Sequence, residues 1–376
     1  MKVLIVSGIW PPDVGGPASH APEVADELRA RGHDVEVVTM ADRAPPARPY
    51  PVRWASRRLP RGVRHLRAAL LVARAARRAD VVYSTGMIGR SAIGSALARK
   101  PLVQKLTSDP TYERSLRYGL YGGDLVSYQR SGGRRVRALR RARNLVLRRA
   151  TRLLIPSEAL HELAVAWGIE PTRIEVLPNP VEPPGALGAR EELRRRHGFE
   201  SPTLVLAGRL ASQKAVDVAL QALSRLDGLE LVIAGDGPEA ERLRELAQEL
   251  ELNGRARFIG PQPRQTVFEL LRAADAVVLS SKWENFPHVL VEALAVGTPV
   301  IAAASGGVTE IVRDGENGLL APAEDPEGLA QAIRRYFDDA ELRERLRSAA
   351  SSSVERFAPE RIYGRLVEIL DEAARA

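Results

Sequence analysis

The 376 residues are too many for one ordinary core, and with 45% hydrophobic and 27% charged residues they read as two soluble globular domains of similar size. The absence of cysteine excludes a disulfide framework, a thiolate metal site and a cysteine nucleophile, and the six scattered His offer no paired zinc spacing. The net charge of +8 is unevenly divided: residues 1–180 hold 31 Lys and Arg against 15 Asp and Glu (+16), and residues 181–376 hold 24 against 32 (−8). Charges of opposite sign mark two domains, and a basic half suits nucleic acid, an anionic membrane or an acidic substrate.

In chain order, VLIVSGIW after Met1-Lys2 is too short for a signal peptide and ends at Pro11-Pro12-Asp13 without a cleavage pattern, so it reads as a first strand. No stretch is long enough to span a membrane. The pattern then predicts a glycine loop at Gly15-Gly16, a helix over 18–31, and strands at 35–39, 81–83, 102–106 and 153–157. Strands separated by helices imply a parallel, doubly wound sheet whose ligands sit at the carboxyl ends of strands. Asp109, just past the strand at 102–106, is a candidate polar residue for an acceptor and equally a cap before Pro110; His20 could approach the same place. A Pro/Gly-rich linker at 177–188 separates the halves.

The alternation restarts with strands at 203–207, 229–234, 257–260, 276–279 and 300–303. The first leads into Gly208-Arg209-Leu210-Ala211-Ser212-Gln213-Lys214, where Arg209 offers a planar fork of donors to phosphate and Lys214 a movable point charge. The second leads into Gly235-Asp236-Gly237-Pro238, a good turn. From Ser281 the run SSKWENFPHVLVEALAVGTPVIAA reads as loop, helix and buried strand. Pro287 suits the first helical turn, Val289, Leu290, Ala293 and Leu294 give an apolar face, and Gly297 ends the helix. A helix start is an anion site, flanked here by the carboxylates of Glu284 and Glu292.

The Glu-x7-Glu spacing of Glu284 and Glu292, continued by Gly306, Gly307, Glu310 and Asn317 to Leu320, resembles the retaining glycosyltransferases of family four, as does the G-R-L-x-x-x-K run. That resemblance implies a GT-B fold: α/β, with two doubly wound Rossmann-like domains facing a central cleft. Residues 1–180, with a C-terminal helix at 357–376 crossing back, would bind the acceptor, and residues 181–356 the nucleotide sugar. It implies catalytic roles for Glu284, Arg209, Lys214 and Asp109. Donor binding would fall to Gly15, Gly16, Gly208, Gly235, Asp236, Phe258, Asn285, Phe286, His288, Val289 and Glu292, with Glu284 on the sugar and Glu292 on the ribose.

The expected reaction moves a sugar from a UDP- or GDP-sugar to an acceptor hydroxyl with retention, in cell-surface polysaccharide or glycolipid synthesis, with no cofactor and no metal. The partners implied are the nucleotide diphosphate sugar, a sugar or lipid-linked acceptor and an anionic membrane surface, but no nucleic acid. The expected place is cytoplasmic, peripheral on the inner face of the membrane. A nucleotide-sugar epimerase of the same fold and a basic nucleic-acid-binding protein are the alternatives. The membrane expectation rests on two arginine-rich helices. One carries Arg134 to Arg152, among them Arg140, Arg141, Arg148 and Arg149, with Val136, Leu139, Val146, Ala150 and Leu153 as its stripe. The other, at 57–78, carries Val63, Leu66, Leu70 and Ala73. Either stripe could equally pack into the first core.

Overall fold

The computed structural model describes residues 1–13, 16–130, 132–181 and 185–375, without the side chains of 16–19 and 126. The chain forms two compact units: Met1–Pro178 with the residues from Ile362 onward, and Asn179–Arg361. The sequence expectation divides the chain at 180/181 and 356/357.

Seven strands build the first unit: β1 (Lys2–Ser7), β2 (Asp34–Ala41), β3 (Val52–Ser56), β4 (Val81–Ser84), β5 (Leu102–Lys105), β6 (Arg152–Ile155) and β7 (Ile174–Val176). All pair in parallel in the order β3-β2-β1-β4-β5-β6-β7. The central strand KVLIVS is apolar on both sides because helices cover both faces of the sheet. Val3, Ile5 and Val37 pack on one face with helix Gly16–Ala30 and the C-terminal helix Pro359–Arg375, through residues such as Ala21, Leu28, Leu366 and Leu370. Leu4, Val6 and Val82 pack on the other with Ala68, Val72 and Ala75 of helix Arg61–Ala76 and Ala92 of helix Ile88–Ala98. Buried in β5, the Lys105 side-chain nitrogen donates to the carbonyls of Leu177 and Pro178.

The second unit repeats the plan with β8 (Thr203–Ala207), β9 (Glu230–Ala234), β10 (Ala256–Gly260), β11 (Ala276–Leu279), β12 (Val300–Ala303) and β13 (Gly318–Ala321) in the order β10-β9-β8-β11-β12-β13. Register pairs Thr203 with Glu230 and Val300 with Gly318, both parallel. Apolar clusters lie on its two faces. Three strands carry little periodic signal and are not among those the pattern predicts. β3 (VRWAS) interleaves Arg and Trp, β7 is three residues long, and β13 (GLLA) is four residues opened by glycine.

The helix expected at 57–78 spans Arg61–Ala76, and its Val63, Leu66 and Leu70 point outward, while Ala73 is buried. The other basic helix ends at Leu147; of its stripe, Val136 is buried from within it, Ala150 and Leu153 from beyond it.

Candidate active site

A broad cavity of about 540 Å³ lies in the second unit, at the carboxyl ends of β8 and β9 and the start of helix His288–Ala295. Doubly wound sheets open there, because the loops that leave the strands part to opposite faces. After β8 the chain turns at Gly208 and presents Arg209, and a short 3-10 turn at Ser212–Lys214 follows. The loop after β9 lies against the Gly208 loop: a Cβ on Gly235 would fall 1.8 Å from the Gly208 carbonyl oxygen, and Gly235 has a φ of +150°. Only glycine fits there. Asp236 accepts a hydrogen bond from the Gly237 amide at 2.8 Å, which fixes that turn.

Glu284 is placed by a network rather than by one contact. Its Oε1 accepts from the Ser281 hydroxyl at 2.6 Å and from the Lys214 ammonium at 2.5 Å. Its carbonyl accepts from the Gly307 amide at 2.8 Å, and a Cβ on Gly306 would lie 2.1 Å from that same carbonyl oxygen. The Ser305 hydroxyl in turn donates to the Ser281 carbonyl at 2.9 Å, and Gln213 to the Trp283 carbonyl at 2.8 Å. The Gly-Gly and Ser positions thus act as braces for one carboxylate.

Pro287 stands just before the helix, at the cap position rather than in the first turn. Phe286 meets His288 edge-on at 5.5 Å and Phe357 at 5.2 Å, and His288 lies 3.1 Å from the Asn179 amide. The helix closes with the Gly297 amide on Leu294 and the Thr298 amide on Ala293, the bond pair of a glycine-capped end. Glu292 lies one turn into the helix. Burial pushes its carboxyl up from the ordinary value, against the opposing pull of Arg264 at 3.9 Å.

Of the expected site residues, Gly208, Arg209, Lys214, Gly235, Asp236, Glu284, Phe286, His288, Val289 and Glu292 all line this cavity. Two others of that unit do not. Strand alternation sends Ile259 toward one apolar cluster and Phe258 toward the other, where the Arg244 guanidinium lies 5.5 Å from its ring. Asn285 is buried and does not line the cavity. The sequence reading passes over Pro261, Gln262 and Val267, which complete the wall after β10. The Gly260-Pro261-Gln262-Pro263 turn at a strand's carboxyl end is the signal that could have found them.

Asp109 is corrected. It is a helix cap in the first unit, with its side chain 0% exposed. Its carboxylate accepts from the Thr111 and Tyr112 amides, the Thr111 hydroxyl, Gln129 and Arg143. A carboxylate so enclosed has nothing left to offer an acceptor. His20 lies 3.1 Å from the Tyr83 hydroxyl, and Gly16 opens helix Gly16–Ala30. Gly15 lies outside the described residues.

Two parallel sheets of seven and six strands, with a cation pair and a carboxylate pair about one cavity, define a GT-B glycosyltransferase. The fold is shared with Anabaena Alr3699/HepE, solved in complex with UDP and glucose: TM-score 0.80, 23% identity, 99% of this chain and 100% of that one. Residues 189–353 match the family model of the glycosyl transferases group 1, and residues 15–180 that of the glycosyl transferase 4-like domain. The D-inositol 3-phosphate glycosyltransferase of Acidothermus cellulolyticus is 33% identical, over 91% of this chain and 82% of that protein. The lipopolysaccharide core biosynthesis glycosyltransferase LpsE of Rhizobium meliloti is 37% identical over 46% of this chain and half of its own length. The chain belongs to the glycosyl transferases group 1.

Proposed function

We propose that this glycosyltransferase takes a sugar from a nucleotide diphosphate sugar, UDP- or GDP-linked, and transfers it with retention to the hydroxyl of a sugar or lipid-linked acceptor. The observation that carries the reading is the convergence on one cavity of Arg209, Lys214, Glu284, Glu292 and the start of helix His288–Ala295. Solved fold neighbours hold UDP and UDP-glucose, which supports a donor of that class. The relatives in lipopolysaccharide synthesis support an acceptor in cell-surface polysaccharide or glycolipid.

In this reading the bond from the anomeric carbon to the diphosphate oxygen breaks, and its electron pair leaves with the diphosphate. Arg209, Lys214 and the helix start balance that charge, so no metal is required of the mechanism. Hydroxyls of the sugar donate to Glu284, and the ribose to Glu292. The acceptor oxygen then bonds to the carbon on the face the diphosphate left, and its proton passes to the departing diphosphate oxygen.

Arg209→Ala and Lys214→Ala should each lower transfer by about a hundredfold or more, the scale of losing one preorganised charge-stabilising group. Chelation of divalent ions should leave the rate of the wild type unchanged. Product analysis separates the epimerase alternative, which would release an isomerised sugar with no acceptor conjugate. Loss of all transfer on chelation would overturn the metal-free mechanism.

A further inference from the structure

Among the described residues, every large apolar side chain that stands exposed lies between residues 63 and 145, and none lies in the second unit. Six of them share one layer. Helix Ile88–Ala98 packs against Arg61–Ala76, where a Cβ on Gly94 would come within 2.5 Å of Val72, and it also touches Arg134–Leu147. The inner faces of the first two helices, with Val146 of the third, seal the sheet. Their outer faces present Val63, Leu66 and Leu70, then Ile93 and Leu97, then Leu145; Leu66 is 63% exposed and Leu145 66%. The spacing of three and four residues makes these stripes rather than scattered exceptions.

The charge around them has a single sign. None of the three helices contains an acidic residue. Between residues 43 and 108 the only acid is Asp80, and its carboxylate accepts from the Lys2 amide at 2.7 Å. Arg67, Arg74, Arg77 and Arg78 stand exposed on, or just past, the helix that carries Leu66 and Leu70. An unpartnered aliphatic face of this size needs a cover, and the charges select which. A second copy would set arginine against arginine. Single-stranded nucleic acid stacks on aromatic rings, and these three helices have no Phe, Tyr or Trp.

We infer that the outer face of the layer Arg61–Ala76, Ile88–Ala98 and Arg134–Leu147 docks on an anionic lipid leaflet. The aliphatic side chains enter the acyl boundary, and the arginines reach out to the headgroups. Of the two basic helices the sequence points to, Arg61–Ala76 presents its stripe on this surface, while two arginines of Arg134–Leu147 are engaged within the protein. Arg140 donates to the Tyr128 carbonyl and lies over its ring, and Arg143 is buried, so neither is available to lipid. The lipid contact centres instead on the first two helices.

The test is co-sedimentation of the full chain with vesicles of equal parts phosphatidylglycerol and phosphatidylcholine, against phosphatidylcholine alone. The wild type should bind the former, release in about 1 M salt, where charges are screened beyond about 3 Å, and ignore the latter. Leu66→Glu/Leu70→Glu/Ile93→Glu/Leu97→Glu should abolish binding even at low salt. Arg67→Ser/Arg74→Ser/Arg77→Ser/Arg78→Ser should weaken it by up to about a thousandfold. All changed residues are exposed, so melting temperature and affinity for UDP should stay at wild-type values, which separates this inference from the transfer reading. Wild-type protein that fails to bind anionic vesicles at low salt overturns it, and so does a Glu variant that binds as the wild type does. A Glu variant whose own sedimentation falls from dimer to monomer would show a self-interface instead and equally overturn it.

Discussion

Removing the Asp109 carboxylate separates a structural role from a catalytic one. The pair with Arg143 is closed off from water, with side-chain exposures of 0% and 2%, and the guanidinium also lies 3.8 Å from the centre of the Trp167 ring. Asp109→Ala strands that cation without a counter-ion and uncaps helix Pro110–Arg117, whose Thr111 and Tyr112 amides bond to the carboxylate at 2.9 and 3.2 Å. Breaking one partner of a buried pair costs about 3–5 kcal/mol, and losing a cap about 1 kcal/mol. The single variant should therefore lose about 4–6 kcal/mol. Arg143→Met alone leaves a buried carboxylate and should fall in a similar range. In the double variant Asp109→Ala/Arg143→Met neither charge is left stranded, so its loss should be well below the sum of the two, with a coupling of at least about 2 kcal/mol. Urea unfolding followed by fluorescence, with Trp167 as a reporter, measures all three. Turnover of Asp109→Asn, assayed where the protein stays folded, should remain near that of the wild type. If Asp109→Asn is as stable as the wild type yet nearly inactive, the reasoning fails and Asp109 belongs to the chemistry.

Three further predictions concern titratable groups. Glu284→Gln should damage turnover more than nucleotide affinity and Glu292→Gln the reverse, a split that calorimetric titration of UDP against both variants would read; equal affinity losses would refute the assignment. Because burial raises the Glu292 carboxyl, UDP affinity should climb with pH from the ordinary carboxylate range upward as that group ionises, and Glu292→Gln should flatten the climb. Burial also lowers the Lys105 amine from 10.5 to about 7, so the folded protein prefers it neutral. The stability linked to the neutral amine is complete above the unfolded value and is lost as pH falls toward about 7. Unfolding free energy should therefore rise between pH 7 and 10.5, by up to ~5 kcal/mol, and Lys105→Met should remove that rise.

The positions of both sheets were legible because their central strands are buried on both faces and so read as unbroken apolar runs. β1, β8, β11 and β12 all have that character. β3 and β7 are edge strands, one interrupted by Arg53 and the other too short for a period to show. The donor-type cavity was legible because its residues follow strand ends at short range: Arg209 two residues after β8, and Asp236 two after β9. Phe258 went astray for a related reason. It lies within a strand whose two faces are both covered by apolar clusters, and the cavity wall begins only past the strand's end, at Pro261. Asp109 could not be settled by pattern at all. Its partner Arg143 lies 34 positions away, and only the packing of helix Arg134–Leu147 brings the two together. The outward stripe at Val63, Leu66 and Leu70 has the same origin: periodicity reveals an apolar face, but not whether protein covers it.

The site shows why one carboxylate and one cation are paired across these two loops. Glu284 is 7% exposed, and a carboxylate so enclosed needs donors to stay charged. Lys214 and Ser281 both supply the same oxygen, Oε1. On the proposed reading, a diphosphate arriving beside Arg209 draws the Lys214 ammonium toward itself, and sugar hydroxyls take its place on Glu284. Binding is then an exchange of partners within a cavity already shaped for it, rather than a fresh burial of charge. The braces at Ser305, Gly306 and Gly307 hold the carboxylate still during that exchange, because they grip the backbone of residues 281 and 284 and leave Lys214 alone to move. A mobile four-carbon ammonium serves that purpose better than a guanidinium would, since a planar fork locked onto Glu284 would have two bonds to break before it could reach a phosphate.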